Sequence, residues 1–120
     1  MIDALARLPV PILVGLGGAA GALARYAVDV ALDGGRPSMF AVNALGSVVL
    51  GGLVASGPPE AVLAIAGTGF CGAFTTFSSF AVNVAEAASD GRVRLAIVDA
   101  LGTLVAALLG VGIGTAIVAW

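Results

Sequence analysis

The sequence predicts an all-α membrane protein with four transmembrane helices. Hydrophobic residues make up 60% of the 120 positions and charged residues only 10%, whereas about a quarter of a soluble domain is charged. The mean hydropathy is +1.14. Four long apolar stretches are separated by short polar connectors, and about 20 apolar residues suffice to cross a bilayer as a helix.

The four predicted helices cover about residues 8–31, 39–56, 59–88 and 93–120. The connectors at 32–38, 56–60 and 89–94 contain Gly or Pro, which is typical of turns between antiparallel helices. We therefore expect residues 1–120 to form a single four-helix transmembrane domain.

The composition excludes several kinds of chemistry. The chain has no histidine, no lysine and one cysteine, Cys71, so it lacks the residues for disulfide scaffolds, most metal clusters and histidine-dependent catalysis. Five arginines are scattered along the chain and form no basic patch for nucleic acid. No base lies beside the Ser/Thr cluster to activate a nucleophile, so an enzyme is not expected.

The N-terminal stretch "ILVGLGGA" allows two other interpretations. Gly15, Gly17 and Ala20 fit a nucleotide-binding turn, but that turn needs a βαβ unit and none follows. Arg7, the apolar run and "ALA" at 22–24 resemble a secretory signal, but the run is long and three more membrane segments follow. A first membrane helix rich in small residues is the better interpretation.

Small residues recur at four-residue spacing on the first and fourth predicted helices. They are Gly17 and Gly21 on the first, and Gly102, Ala106, Gly110 and Gly114 on the fourth. Such spacing lets helix backbones approach closely in lipid, either within one subunit or between two. Four short helices enclose little space, so a pathway through them is expected to need more than one chain.

The stretch "GFCGAFTTFSSF", Gly69 to Phe80, lies in the middle of the third predicted helix. Its glycines and β-branched threonines weaken a helix. A helix broken at bilayer depth is tolerated only beside protein or a watery cavity, so we predict a site for something polar. Unwound carbonyls at such a break can serve as ligands for a hard cation such as Na⁺.

The rings and hydroxyls of this stretch suggest an anion as the second candidate. If the helix were continuous, Phe74, Phe77 and Phe80 would share one face, with Ser78 beside them. Aromatic ring edges are positive and can face an anion, and hydroxyls can donate to it. The alternative is an aromatic packing stripe in which Ser and Thr bond back to the preceding turn.

Two further polar residues favour the anion. Asn43 lies inside the second predicted helix and offers two N–H donors. Arg25 lies towards the end of the first and can draw anions inward, although it could also snorkel or pair with Asp29. Donors of these types, without buried Lys or His, suit a small anion better than a cation.

Three motifs, "GGAAGALARY" (17–26), "VNALGSVVLG" (42–51) and "GFCGAFTTFSSF" (69–80), resemble the Fluc fluoride channels, also called the CrcB family. The resemblance implies an antiparallel, dual-topology dimer with two fluoride pores and a central structural Na⁺. It implies that Gly72 and Thr75 offer carbonyls to Na⁺. It assigns the anion pathway to Arg25, Asn43, Phe77, Ser78, Ser79 and Phe80.

The chain departs from the family pattern at several positions. Ala73 replaces a common second glycine, Asn83 replaces a common acidic residue, and Thr103 is the main hydroxyl of a fourth helix that has no Tyr. These departures leave open a homodimer or a heterodimer with a homologue. The implied function is a channel in the cell membrane that lets cytoplasmic fluoride leave, reducing its toxicity.

Other four-helix membrane proteins fit less well. A small multidrug-resistance transporter needs a carboxylate inside the first helix, and residues 8–24 contain none. A proton-relay subunit needs an acid at mid-helix, whereas Glu86 and Asp99 lie near helix ends. A small transporter or a structural subunit without fluoride selectivity is the alternative function.

Arginines predict a weak bias in orientation. The 32–38 and 89–94 connectors carry three, Arg36, Arg92 and Arg94, against Arg7 alone on the side of the termini. The positive-inside rule then places both termini outside the cytoplasm. A subunit that forms its own antiparallel dimer should have almost no bias. We therefore expect weakly dual insertion or, in the alternative, a partner homologue of opposite bias.

Overall fold

A computed structural model describes residues 1–120 and is entirely helical. Four helices are long and apolar enough to cross a membrane, which confirms the predicted class and makes the chain a multi-pass membrane protein. In chain order the elements are α1 (Ile2–Leu5), α2 (Val10–Ala31), α3 (Gly35–Ala55), α4 (Glu60–Val62), a π-helical segment (Leu63–Cys71), α5 (Gly72–Phe74), α6 (Ser78–Ser89) and α7 (Val93–Ala119). The first span is α2 and the second is α3. The third, Glu60–Ser89, comprises α4, the π-helical segment, α5 and α6, and the fourth is α7.

The second span begins at Gly35, earlier than the predicted residue 39. Asp33, Gly34 and Gly35 have φ values of 56°, 67° and 73°, and this left-handed backbone completes the turn before the helix starts. Pro37 is then the third helical residue, where the missing N–H costs nothing because the first N–H groups of a helix have no partner inside it. Asn43 consequently lies about two turns into the helix rather than one.

The third span is interrupted, as predicted. Its first half is π-helical from Leu63 to Cys71, and α5 ends where Thr75 adopts an extended conformation with φ −82° and ψ 168°. Helical structure resumes at Ser78. Glycines and threonines cost this stretch its helix propensity, so a regular α-helix through it has little local support.

Small residues bring two pairs of spans into backbone contact. A Cβ on Gly17 or Gly21 of the first span would overlap the carbonyl oxygens of Ile65 and Phe70 on the third. A Cβ on Gly114 of the fourth span would overlap the carbonyl oxygen of Val48 on the second. The predicted close packing therefore occurs within one chain, as small residues in membrane helices allow. Gly102 is the exception, since nothing lies within 4 Å of its Cβ position.

The first turn of α3 holds two carboxylates from neighbouring spans. Arg36 forms a two-pronged ion pair with Asp99 of α7, and Ser38 donates a hydrogen bond to Asp29 of α2. The N-terminus of a helix is the positive end of its dipole and attracts negative groups. These contacts tie three spans together at one end of the bundle.

Candidate functional site

The break in the third span is held by a side chain of the second. Asn43 Oδ1 accepts a hydrogen bond of 2.7 Å from the backbone N–H of Thr76, and Asn43 Nδ2 donates one of 3.0 Å to the Thr76 carbonyl oxygen. Both residues are buried. Because Thr75 is extended, these backbone groups lack helical partners, and Asn43 supplies them instead.

Hydroxyl groups complete the break on both sides. Thr75 Oγ1 donates to the Cys71 carbonyl oxygen at 2.8 Å, so the alternative of bonding back to the preceding turn holds for this residue. Thr76 Oγ1 accepts a bond of 3.1 Å from the N–H of Ser79 and lies 3.3 Å from Ser78 Oγ. The Thr76 hydroxyl thereby caps α6 where the helix resumes.

The aromatic rings form two separate pairs. Phe70 and Phe74 stack with centroids 5.6 Å apart, whereas Phe77 and Phe80 are 5.7 Å apart with ring planes tilted by 46°. The expected face shared by Phe74, Phe77 and Phe80 is wrong, because the chain is not helical between Phe74 and Ser78. Phe74 is buried, whereas 78% of the surface of Phe77 is exposed.

An open cavity of about 410 Å³, here called the break cavity, lies against the interrupted segment. Phe77 and Phe80 line it together with amide and hydroxyl groups of the second, third and fourth spans. Its walls include Asn43, Ser47, Gly72, Thr75, Thr76, Phe77, Phe80 and Thr103. The site therefore presents two aromatic rings beside several polar groups in an otherwise aliphatic bundle.

Backbone carbonyl oxygens at the break lack hydrogen-bond donors, and those of Gly72 and Thr75 are among them. Those of Gly72 and Thr75 accept no bond from the protein, since the N–H of Thr76 is taken by Asn43 and that of Ser79 by Thr76 Oγ1. Both residues line the break cavity. Free carbonyl oxygens are the ligand type that a hard cation takes from an unwound membrane helix.

A second cavity of about 330 Å³, the Arg25 cavity, lies beside the start of α6. Arg25 and Asp29 of the first span line it, as do Ser79 and Asn83 of α6. Arg25 Nη2 donates to Ser79 Oγ at 2.9 Å, whereas Asp29 accepts from Ser38. The alternative pairing of Arg25 with Asp29 is therefore wrong, because each has another partner.

The six predicted pathway residues fall into two groups. Asn43, Phe77 and Phe80 line the break cavity, and Arg25 and Ser79 line the Arg25 cavity. Ser78 is exposed and lines neither cavity; its hydroxyl lies beside that of Thr76. Sequence reasoning missed Thr76 as the partner of Asn43, and the only available signal was its place in "TTFSS". It also missed the Arg36–Asp99 pair, whose members are 63 positions apart.

Comparison with known proteins identifies the family. The model of a family described as "CrcB-like protein, Camphor Resistance (CrcB)" matches residues 12–115. "Fluoride-specific ion channel FluC 2" of Natronomonas pharaonis is 46% identical over 107 residues, covering 87% of this chain and 90% of that protein. "Fluoride-specific ion channel FluC 1" of Symbiobacterium thermophilum is 44% identical over 120 residues, covering 86% and 95%. "Fluoride-specific ion channel FluC 2" of Haloarcula marismortui is 42% identical over 108 residues, covering 88% and 91%. The chain belongs to the CrcB family.

Proposed function

We propose that this chain is a subunit of a fluoride-selective channel that lets cytoplasmic fluoride leave the cell and so reduces its toxicity. The observation that carries the proposal is the break cavity, where Phe77 and Phe80 stand beside amide and hydroxyl groups at an interrupted span. The relatives named above as fluoride-specific ion channels support the same substrate. An ion channel, rather than an enzyme, is the activity that suits this site.

The chemistry of fluoride fits these groups. Fluoride is small and strongly hydrated, so a selective path must replace its water with donors along its length. The positive edges of Phe77 and Phe80 and the hydroxyls of Ser78 and Ser79 are such donors. One N–H of Asn43 bonds to Thr76, and the other faces only Met39 Sδ at 3.5 Å, a weak acceptor that an anion can replace.

Arg25 is proposed to concentrate anions at the entrance to this path. Its guanidinium lines the Arg25 cavity and is fixed there by Ser79. A cation lining a cleft raises the local concentration of anions. Because Ser79 accepts a hydrogen bond from Arg25, its own O–H remains available to donate to an arriving ion.

A structural Na⁺ is proposed at the carbonyl oxygens of Gly72 and Thr75. Both oxygens lack a donor within the chain, and both residues line the break cavity. A bound Na⁺ would satisfy these carbonyls and so stabilise the interrupted conformation. Two oxygens are few for such an ion, so a second copy of the chain would complete its ligand set.

We further propose that the working unit is an antiparallel dimer. One chain leaves the break cavity open and Phe77 largely exposed, and a second chain would close that side. The weak arginine bias leaves open whether the second chain is a copy or a homologue of opposite orientation. A homodimer requires that the chain insert in both orientations.

Labelling of a single C-terminal cysteine distinguishes these dimers. The variant Trp120→Cys in a Cys71→Ala background is expressed alone and treated with a membrane-impermeant thiol reagent from each side. Labelling from both sides together with fluoride efflux supports a homodimer, and labelling from one side without efflux supports a heterodimer. Labelling from the cytoplasmic side alone would contradict the orientation argument.

Fluoride efflux from liposomes that contain the purified chain tests the function itself. Efflux that requires the protein supports a channel. Its absence, from protein that is folded and present in both orientations, would favour a structural subunit.

A further inference from the structure

We propose that Arg36 neutralises the buried carboxylate of Asp99 so that fluoride can occupy the neighbouring break cavity. This inference rests on the proposed channel function and assigns a positioning role to a pair of residues outside the pathway groups. Arg36 Nε donates to Asp99 Oδ2 at 2.8 Å, and Arg36 Nη2 binds Asp99 Oδ1. Asp99 is 9% exposed, so water screens its charge poorly.

Asp99 lies close to the proposed path. It is one helical turn before Thr103 on α7, and residues four apart on a helix are neighbours on one face. Thr103 lines the break cavity and also a third cavity of about 360 Å³, the Arg36 cavity, whose walls include Arg36 and Asp99. Thr103 of the fourth span thus borders both the cavity lined by the Asp99 carboxylate and the cavity lined by Phe77 and Phe80.

A carboxylate in this position opposes an anion unless its charge is cancelled. By Coulomb's law, two like charges about 10 Å apart at an effective dielectric constant of about 20 repel each other. This repulsion is enough to lower the occupancy of the cavity by an anion about tenfold. The bidentate Arg36 removes most of that repulsion because the pair is neutral as a whole. An Asp at position 99 of the fourth span is therefore compatible with an anion in the break cavity only when Arg36 of the second span pairs with it.

The ion pair joins the second and fourth spans at one end of the bundle, but close packing of these spans does not depend on it alone. Gly110 and Gly114 already bring the fourth span into close contact with the second. A buried ion pair is also weak support for stability, since a hydrophobic replacement of similar size often serves as well. Cancellation of the negative charge of Asp99 explains why Arg36 is paired with a carboxylate near the break cavity.

Four variants in liposomes test this role: Arg36→Gln, Arg36→Lys, Asp99→Asn and the double variant Arg36→Gln/Asp99→Asn. Fluoride efflux is measured per reconstituted protein, and thermal unfolding in detergent reports folding. Arg36→Gln should lower fluoride efflux about tenfold because it leaves Asp99 unpaired. Arg36→Lys should retain most of the efflux because it keeps the positive charge.

The carboxylate variants separate charge from structure. Asp99→Asn should pass fluoride at least as fast as the unsubstituted chain, and the double variant should recover to within about twofold of it. If the ion pair served only to hold the second and fourth spans together, Asp99→Asn and the double variant should both lose efflux, because both lack the ion pair. A double variant as slow as Arg36→Gln, or a slow Asp99→Asn, would overturn the inference.

Two further results are assigned in advance. If Arg36→Gln fails to fold, the efflux of Asp99→Asn still distinguishes cancellation of the Asp99 charge from a purely structural link between the two spans. If the unsubstituted chain passes no fluoride, the proposed function fails, whereas normal efflux with the wrong pattern among the variants contradicts only this inference.

Discussion

Asn43 and Thr76, 33 positions apart, form two hydrogen bonds that replace the helical bonds lost at the break. The second span thereby fixes where the third span is interrupted. A buried N–H or C=O without a partner is costly, so a break at bilayer depth needs a partner of this kind. Asn43 therefore helps to hold the conformation that leaves Phe77 exposed, together with the hydroxyls of Thr75 and Thr76.

Replacing Asn43 with Ala should destabilise the chain by about 2–4 kcal/mol, because two buried backbone groups lose their partners. Ser47→Ala is the matched control on the same helix. It removes one hydrogen bond of 2.7 Å, to the Asn43 carbonyl oxygen, and should cost about 1 kcal/mol or less. Unfolding in detergent measures both. Equal stability of the two variants would contradict the role given to Asn43.

Replacing Phe77 or Phe80 with Ile should preserve the fold but lower fluoride efflux about tenfold, because an aliphatic side chain has no positive edge to face the anion. Phe70→Leu is the control, since Phe70 pairs with Phe74 and does not line the break cavity. Efflux from liposomes compares the three variants. Unchanged efflux in both Ile variants would mean that these two rings serve packing and do not contact the anion.

Alanine at Gly21 should destabilise the chain by about 1–3 kcal/mol, because the new Cβ would overlap the Phe70 carbonyl oxygen. Alanine at Gly15 on the same helix meets nothing within 4 Å and should be neutral or stabilising by up to about 1 kcal/mol. Thermal unfolding compares the two. Similar effects at both positions would contradict the backbone contact between the first and third spans.

Replacing Na⁺ with a large organic cation on both sides of the membrane should reduce fluoride efflux, because the free carbonyls of Gly72 and Thr75 would lose their proposed ligand. Restoring Na⁺ should restore the efflux. Potassium as a second replacement tests size, since a larger ion fits a small carbonyl site less well. Efflux that is insensitive to Na⁺ after exhaustive exchange would argue against the sodium site.

Sequence patterning was sufficient for the four spans and for the break in the third, because apolar length and the weak helix propensity of 69–76 are local properties. It failed at one local turn and where contacts between spans decide. The start of the second span moved to Gly35 because three left-handed residues complete the turn. The common face of Phe74, Phe77 and Phe80 assumed a continuous helix, which the extended Thr75 interrupts. The partners of Arg25 and Arg36 lie on other spans, and no spacing within one helix could identify them.

Anion selectivity is the property that tests the account most directly. The purified chain is reconstituted in liposomes loaded with equal concentrations of fluoride and chloride. The membrane potential that opposes net anion efflux is then removed, and ion-selective electrodes measure the loss of each anion. The account predicts rapid loss of fluoride while chloride is retained as in protein-free liposomes, because ring edges and fixed donors at the break suit the smaller ion. Equal fluxes of the two anions would contradict it.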